Sequence, residues 1–451
     1  MSDALIRRGR IVDPSQNLDA PGDLLVRDGK IARLWPAGEA PNADGVLELD
    51  AAGLVVTPGF IDLHVHLREP GHEEKETIAT GSQAAVAGGF TTICAMPNTE
   101  PATDSAAMVE YVGRVAAAGA ARVLVVAAVS KGRQGKELAE LGELAAAGAV
   151  GFSDDGNPVA SNTLLRNALA YSRMLRLPIM DHCEDPELTK GGQMNEGPVA
   201  TRLGLKGTPA AAEEVLVARD VALAELTGGW AHICHISTAR AVAIVRDAKA
   251  RGVRVTAEAT PHHLVMTDEL VMGRWPLFPG SAAAHLPYDT NTKVNPPLRS
   301  RVDVEALLAG LRDGTIDAIA TDHAPHHVLD KECEYDFAAP GLSGLETALP
   351  ALLLLVEQGK LSLAEVIRAL TVGPARLLGR ELGSLRPGGV ADVTVFDPSL
   401  AWQVTPDALF SKGKNTPFLG ETVKGKVVLT LREGRAVHGA TRLTQPLALE
   451  R

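Results

Sequence analysis

Three features of this 451-residue chain predict an α/β protein, a TIM-like (β/α)8 barrel carrying a small β-sandwich domain built from both termini. Eight short apolar runs alternate with Ala- and Leu-rich stretches through the middle of the chain. The two ends share a different texture, short alternating strands broken by turns. Histidines and carboxylates collect just after the apolar runs, at the rim where the loops of such a barrel meet.

From Ala4 to about Val56, LIRRGRIVD, DLLVRDGKIARL and GVLELDAAGLVV alternate apolar with polar residues and bend at Asp-Gly pairs, the marks of a small antiparallel sheet. The texture returns in GGVADVTVFD and VKGKVVLTLREGRAVH, so residues 1–56 and 379–451 are expected to complete one sandwich-like domain. Between them, residues 57–378 supply the strand candidates GFIDLHV, TTICAMP, RVLVVAAV, AVGFSDD, LPIMDH, WAHICHI, VRVTAEAT and IDAIATD. The intervening ETIATGSQAAVAGG, KELAELGELAAAG, SNTLLRNALAYSRML and TARAVAIVRDAKARG repeat apolar residues at three- and four-residue spacing, as helices with one buried face do. Strand and helix alternating eight times imply a parallel barrel.

Apolar residues make up 45% and charged residues 22%, the balance of an ordinary globular protein, and with aromatics at only 4% the core must be small and aliphatic. A net charge of −11 argues against a nucleic-acid surface. Cys94, Cys183, Cys234 and Cys333 are far apart and show no Cys-x-x-Cys spacing, which fits a reducing cytoplasm better than a disulfide framework. No apolar run reaches the length of a membrane span or signal peptide, so a soluble cytoplasmic protein is expected.

The stretch PGFIDLHVHLREP carries His64, His66 and Arg68 two residues apart, on one face of a strand. A bare His-x-His also occurs on half-exposed edge strands, and the polar residues of the later strand ends decide between the two readings. Asn98 comes after the second run, Asp154 and Asp155 after the fourth, His182 after the fifth, His235 after the sixth, His262 and His263 after the seventh, and Asp322, His323 and His326 after the eighth. Of 13 histidines, 12 lie between His64 and His327, which a scatter of surface residues would not produce. Closing the barrel would bring His64, His66, an Asp of the Asp154–Asp155 pair, His182, His235 and Asp322 together. That set exceeds one zinc ion and suits two sharing a carboxylate, with a hydroxide as nucleophile and a polarised carbonyl as its target. Asp322 suits a general acid/base, its alternative being a helix cap. Arg68 and Asn98 suit a substrate carboxylate, their alternative being an ordinary ion pair or turn contact.

HVHLREPG, AMPNTEP, FSDDG, DHCED, HICHIST, ATPHHL, KVNPPLR, ATDHAPH and PGLSGLE occur in that order and together resemble dihydroorotase of the bacterial class I type, within the amidohydrolase superfamily. The resemblance extends over nearly the whole chain. It implies interconversion of L-dihydroorotate and N-carbamoyl-L-aspartate in pyrimidine synthesis. It implies that His64 and His66 hold one zinc ion, His182 and His235 a second, that Asp155 bridges them, and that Asp322 binds metal and acts as acid/base. Two zinc ions per subunit are implied, one being the lower count. Substrate contacts implied are His66, Leu67, Arg68, Asn98, Asn295 and His326, with Pro340 and Gly341 completing the pocket. Many relatives bridge their metals with a carboxylated lysine; no lysine lies near FSDDG, so the bridge falls to Asp155, with Asp154 its rival. A homo-oligomer, and aspartate transcarbamoylase as partner, are also implied by the resemblance.

Other residues get plainer expectations. His72, His232, His323 and His327 read as hydrogen-bonded neighbours of the site, His285 and His438 as surface residues, and Cys183 and Cys234 as packing. RWPLFPGSAAAHLPYDTNT, residues 274–292, reads as a family-specific loop or an interface, and DHAPHHVLDKECEYDFAAPG as a mobile cover. Rival readings are an allantoinase or dihydropyrimidinase, whose substrates offer Arg68 no carboxylate, and a non-catalytic dihydroorotase-like scaffold subunit, which would have lost the ligands present here.

Overall fold

The structure, a computed structural model, describes residues 3–41, 46–273, 277–283 and 285–443. Eight parallel strands succeed one another around a barrel in chain order: Phe60–Val65, Phe90–Ala95, Arg122–Ala127, Gly151–Phe152, Ile179–Asp181, Ala231–Ile233, Val255–Ala259 and Ala318–Ile319. A parallel bridge between Val65 and His323, with the His66 N–H donating to the His323 carbonyl at 2.8 Å, joins the eighth strand to the first and closes the ring. All eight expected strands are present.

Alternation along each strand divides the core. Ile93, Ala95, Val125, Ala127, Ile179 and Ile233 face the helices, while Cys94, Met96, Leu124, Val126, Met180 and Ala320 fill the interior. The fourth and eighth strands hold only two residues each in the ladder. Near the rim, buried carboxylates take donors that a longer ladder would pair: Asp62 accepts from the Thr321 N–H at 3.1 Å and its hydroxyl at 2.6 Å.

Helix starts obey the local sequence. Thr77 caps Ile78–Ala87, Ser161 caps Asn162–Leu175, Thr238 caps Ala239–Ala250, and Ser300 with Asp303 forms a capping box on Arg301–Asp313. Each supplies a side-chain oxygen to N–H groups that have no partner inside the helix.

Both ends of the chain meet in a second eight-stranded sheet. Its path runs Arg435–His438, Thr422–Arg432, Val393–Gln403, Val55–Pro58, Ala4–Asp13, Leu18–Arg27, Lys30–Pro36, with Leu47–Asp50 alongside Ala4–Asp13. The seam is the antiparallel pairing of Val55–Pro58 with Val393–Gln403, around a core of Ile6, Ile11, Leu24, Val26, Val393, Leu429 and Leu431. The sheet is fastened to the barrel by Arg122, which pairs with Asp392 at 2.6 Å and Glu433 at 2.8 Å. Thr394 and Thr430 hydroxyls also donate to the Gly89 and Val86 carbonyls at 2.6 and 2.8 Å. No helix among the described residues is long and apolar enough to cross a membrane.

Candidate metal and substrate site

The barrel's carboxyl rim brings together side chains that are far apart in the chain. His64 lies one residue before the end of the first strand, Asp155 comes after the fourth, His182 after the fifth, His235 after the sixth and Asp322 after the eighth; His66 lies just past the first, and all six are buried. The Asp155 carboxylate is central: Oδ1 lies 3.3 Å from His64 Nε2, 3.6 Å from His182 Nδ1 and 3.5 Å from His235 Nε2, and Oδ2 lies 3.3 Å from His66 Nε2. Asp322 Oδ1 stands 3.0 Å from His66 Nε2 and 3.5 Å from His64 Nε2.

Most of these separations are too long for charged hydrogen bonds, which run about 2.7–2.9 Å. Donors about 2.0–2.1 Å from one tetrahedral ion, by contrast, stand roughly 3.4 Å apart. His64 Nε2 and Asp155 Oδ1 are buried without a hydrogen-bond partner, a costly condition that an ion relieves. The donors form two triads, His64–His66–Asp155 and Asp155–His182–His235, that share Asp155. The chemistry and spacing of the set fit divalent metal.

Asp154, the rival bridge, faces away. Its Oδ1 accepts from the Val129 and Ser130 N–H groups, both at 3.0 Å, and its Oδ2 takes the Ser130 hydroxyl. Arg133, which no sequence motif singles out, donates from Nη2 to the carbonyls of Asp154, at 3.3 Å, and of Asp155.

Outer acceptors set the ring tautomers. Glu258 Oε1 lies 2.8 Å from His64 Nδ1, Asn98 Oδ1 2.8 Å from His66 Nδ1, and Glu184 Oε2 3.1 Å from His182 Nε2. Each holds a proton on the outward nitrogen, so that the inward one would be free to coordinate an ion once the ring is neutral. Glu258 and Glu184 are absent from the sequence-based expectations. The signals were there: a lone carboxylate inside the apolar run VRVTAEAT needs a buried partner, and Glu184 lies two residues past His182 in DHCED. His232 reaches the same Glu258 at 3.1 Å.

Carboxylates and rings at the rim favour one another's charged forms. Burial works against charge on every group here, yet the His64, His182 and His235 rings hold the Asp155 carboxyl well below its usual range. Burial likewise opposes a charged His182, but Asp155 and Glu184 push it up to about 10. Glu258, despite burial, is drawn down to about 2 by His232 and His64. Carboxylates that attract protons onto these rings also attract a cation placed between them.

Beside the triads lies a cavity of about 210 Å³, lined on its other side by Arg68, Asn98, Asn295, His326, Pro340 and Gly341. Arg68 donates from Nε to the Pro325 carbonyl at 3.2 Å, leaving its Nη groups without a partner among the described residues. Burial lowers its pKa to about 10, so it stays a cation at neutral pH. Leu67 does not line the cavity; its side chain is buried in the outer core. Asn98 spends its Oδ1 on His66, and Asn295 stands exposed at the lip. His326 Nε2 donates to the Pro340 carbonyl at 2.9 Å, and the Gly341 N–H donates to the Lys293 carbonyl at 2.8 Å. Arg68, His235 and Asp322 hold φ of 61°, 34° and 48°. Left-handed non-glycine residues cost about 1–3 kcal/mol each and collect where surrounding structure fixes them for function.

Other histidines divide. His323 lies 3.4 Å from Glu76 and accepts the Gly344 N–H at 3.1 Å; His327 caps a short turn, and His72 is half-exposed. His285 is not a surface residue: it is buried with its Nε2 2.7 Å from Glu421 Oε1. His438 is half-buried, edge-on to Phe410 at 6.0 Å. Within 274–292, residues 274–276 and 284 lie outside the described residues. Within the segment expected to be a mobile cover, Lys331 Nζ donates to the Thr290 and Ala339 carbonyls at 3.1 and 2.6 Å.

A closed parallel barrel with imidazoles and carboxylates gathered at its carboxyl rim defines a hydrolase barrel of the amidohydrolase class. A family profile described as Dihydro-orotase-like matches residues 53–241. Two curated relatives named dihydroorotase align along nearly their whole length. That of Syntrophus aciditrophicus is 51% identical, covering 96% of this chain and 99% of its own, and that of Anaeromyxobacter sp. strain K is 52% identical, covering 97% and 98%. Among solved structures, the L-hydantoinase (dihydropyrimidinase) of Arthrobacter aurescens superposes with a TM-score of 0.84 at 25% identity over 100% of this chain and 98% of its own. The dihydropyrimidinase of Brevibacillus agri shares the fold with a TM-score of 0.80 at 22% identity, over 99% of each chain. The chain belongs to the dihydroorotase family.

Proposed function

We propose that this protein is a dihydroorotase, a metal-dependent hydrolase that opens L-dihydroorotate to N-carbamoyl-L-aspartate and closes it again in pyrimidine synthesis. The observation that carries the reading is one carboxylate, Asp155, common to two histidine pairs and standing beside a cavity with a cationic wall. His64, His66 and Asp155 would hold one zinc ion, and Asp155, His182 and His235 a second, with Asp322 beside the first. Bound there, zinc supplies Lewis acidity toward water and toward a carbonyl oxygen.

The chain's own residues do the rest. Asp322 takes a proton from the attacking water and returns it to the ring nitrogen as the amide C–N bond breaks, so oxygen gains the carbon and nitrogen regains a hydrogen. Arg68 pairs with the substrate carboxylate, supplying the cation that a protein of net charge −11 lacks at long range. Asn98, Asn295, His326 and the backbone around Pro340 and Gly341 shape the pocket. A cytoplasmic homo-oligomer associating with aspartate transcarbamoylase belongs to the same reading, as does a division into 1–56 plus 379–451 and 57–378.

The structural neighbours favour a second reading, opening of a hydantoin or dihydropyrimidine ring. Those rings lack the carboxylate that would engage Arg68. The test is turnover of dihydroorotate, dihydrouracil and hydantoin by the metal-loaded protein, with bound metal measured on the same sample. Dihydroorotate is expected to be preferred. Arg68→Met is expected to keep its metal and lose about a hundredfold or more in kcat/KM; near-parent turnover by that variant would remove the assigned clamp.

A further inference from the structure

Asn415 stands behind the substrate wall, bonded to residues of the turn and strap that line it, yet it lies outside the barrel strands, between Val393–Gln403 and Thr422–Arg432. It is buried and every polar atom of its amide is used. Oδ1 accepts from the His326 N–H at 2.8 Å, and the Ser343 hydroxyl, 3.1 Å from it, shares its single hydrogen between Oδ1 and the Gly413 carbonyl at 2.8 Å. Nδ2 donates to the Ala324 carbonyl at 3.1 Å and to the Gly341 carbonyl at 3.0 Å. One amide thus ties the turn after the eighth strand to the strap that ends at Gly341. Only a group with two donors beside an acceptor meets this demand.

Neighbouring residues narrow the fit. The Asn415 carbonyl accepts from the Ser343 N–H at 2.8 Å. A Cβ at Gly413 would stand 2.6 Å from Pro325 Cβ and 2.8 Å from the His326 nitrogen, so this segment lies directly on the turn. At Gly341, with φ of +129°, a Cβ would meet Ala324 Cβ at 2.7 Å. The clamped turn includes Pro325, whose carbonyl holds Arg68 Nε at 3.2 Å.

The geometry points to Asn415 as a positioning residue: through the 324–326 turn and Gly341 it sets where His326 and Arg68 stand across the cavity from the metal-binding histidines. The inference rests on reading that cavity as the substrate pocket. It assigns Asn415 to substrate placement and leaves metal retention to the rim histidines.

The test compares full-length, metal-loaded parent, Asn415→Asp and Ser343→Ala. Asn415→Asp keeps the acceptor but turns a carboxylate toward two carbonyls, whereas Ser343→Ala removes one strut. Asn415→Asp is expected to raise KM about tenfold or more, with kcat falling less than KM rises and metal content equal to the parent's. Ser343→Ala is expected to raise KM a few-fold in the same direction, and it carries the comparison alone if Asn415→Asp does not fold. Unchanged KM, or metal loss in proportion to lost activity, overturns the assignment. If the parent ignores dihydroorotate but opens another ring, the reading of function fails and the clamp is judged on KM for that ring.

Discussion

Glu258 stands behind two histidines, 2.8 Å from His64 Nδ1 and 3.1 Å from His232 Nε2, and on the proposed function it would orient His64 toward the metal. Replacing it with Gln keeps the shape, removes the charge and lets the amide present a donor to His64. Glu258→Gln is expected to weaken metal binding about 10- to 100-fold, measured by competition with a chelator, with little change in turnover at saturating metal. The residues of the two triads were legible in the sequence because imidazoles and carboxylates come directly after apolar runs. Glu258 stood out only as a lone carboxylate in an apolar run; its partners were not legible, because a strand carboxylate reveals its face only once the neighbouring strand is placed. Asn415 was less legible still: its partners at Ala324 and Gly341 lie 91 and 74 residues away.

At the scale of elements, the short helix Pro261–Val265 after the seventh strand depends on a neutral imidazole. The Thr260 hydroxyl stands 2.7 Å from His263 Nδ1, and His263 Nε2–H donates to the Pro296 carbonyl at 2.9 Å, fastening this helix to the KVNPPLR loop. Burial pulls the His263 pKa down to about 4, against roughly 6.5 in an unfolded chain. The folded form therefore binds fewer protons between those values, so the stabilisation is present above about pH 6.5 and is lost as pH falls toward 4. Melting temperature measured across that window should drop in the parent, and the drop should be smaller in His263→Gln. Pattern alone located all eight strands and several helices, since periodicity is local. It misjudged His285, because the buried position of that ring is set by Glu421, 136 residues distant.

Over the whole molecule, the two ends of the chain depend on each other. Val55–Pro58 leads straight into the first barrel strand and is flanked by Val393–Gln403. A chain ending at Leu378 would leave that edge bare and discard the partners of Arg122, Glu76 and His326. Such a truncation is expected to show no single cooperative unfolding transition by calorimetry; a soluble fragment that melts cooperatively and binds metal contradicts this. The mixed texture of the termini made their common sheet legible, but not what the returning segment does at the barrel rim.

That returning segment matters for anyone recombining barrels of this kind. Exchanging the loop after the eighth strand between homologues, a common route to altered specificity, would transplant His326 and Gly341 but leave their fastener behind, because Asn415 is encoded 89 residues beyond His326. A chimera that respects the loop's boundaries in sequence would still be mismatched in space, and the graft should include the Ser411–Asn415 stretch as its second piece.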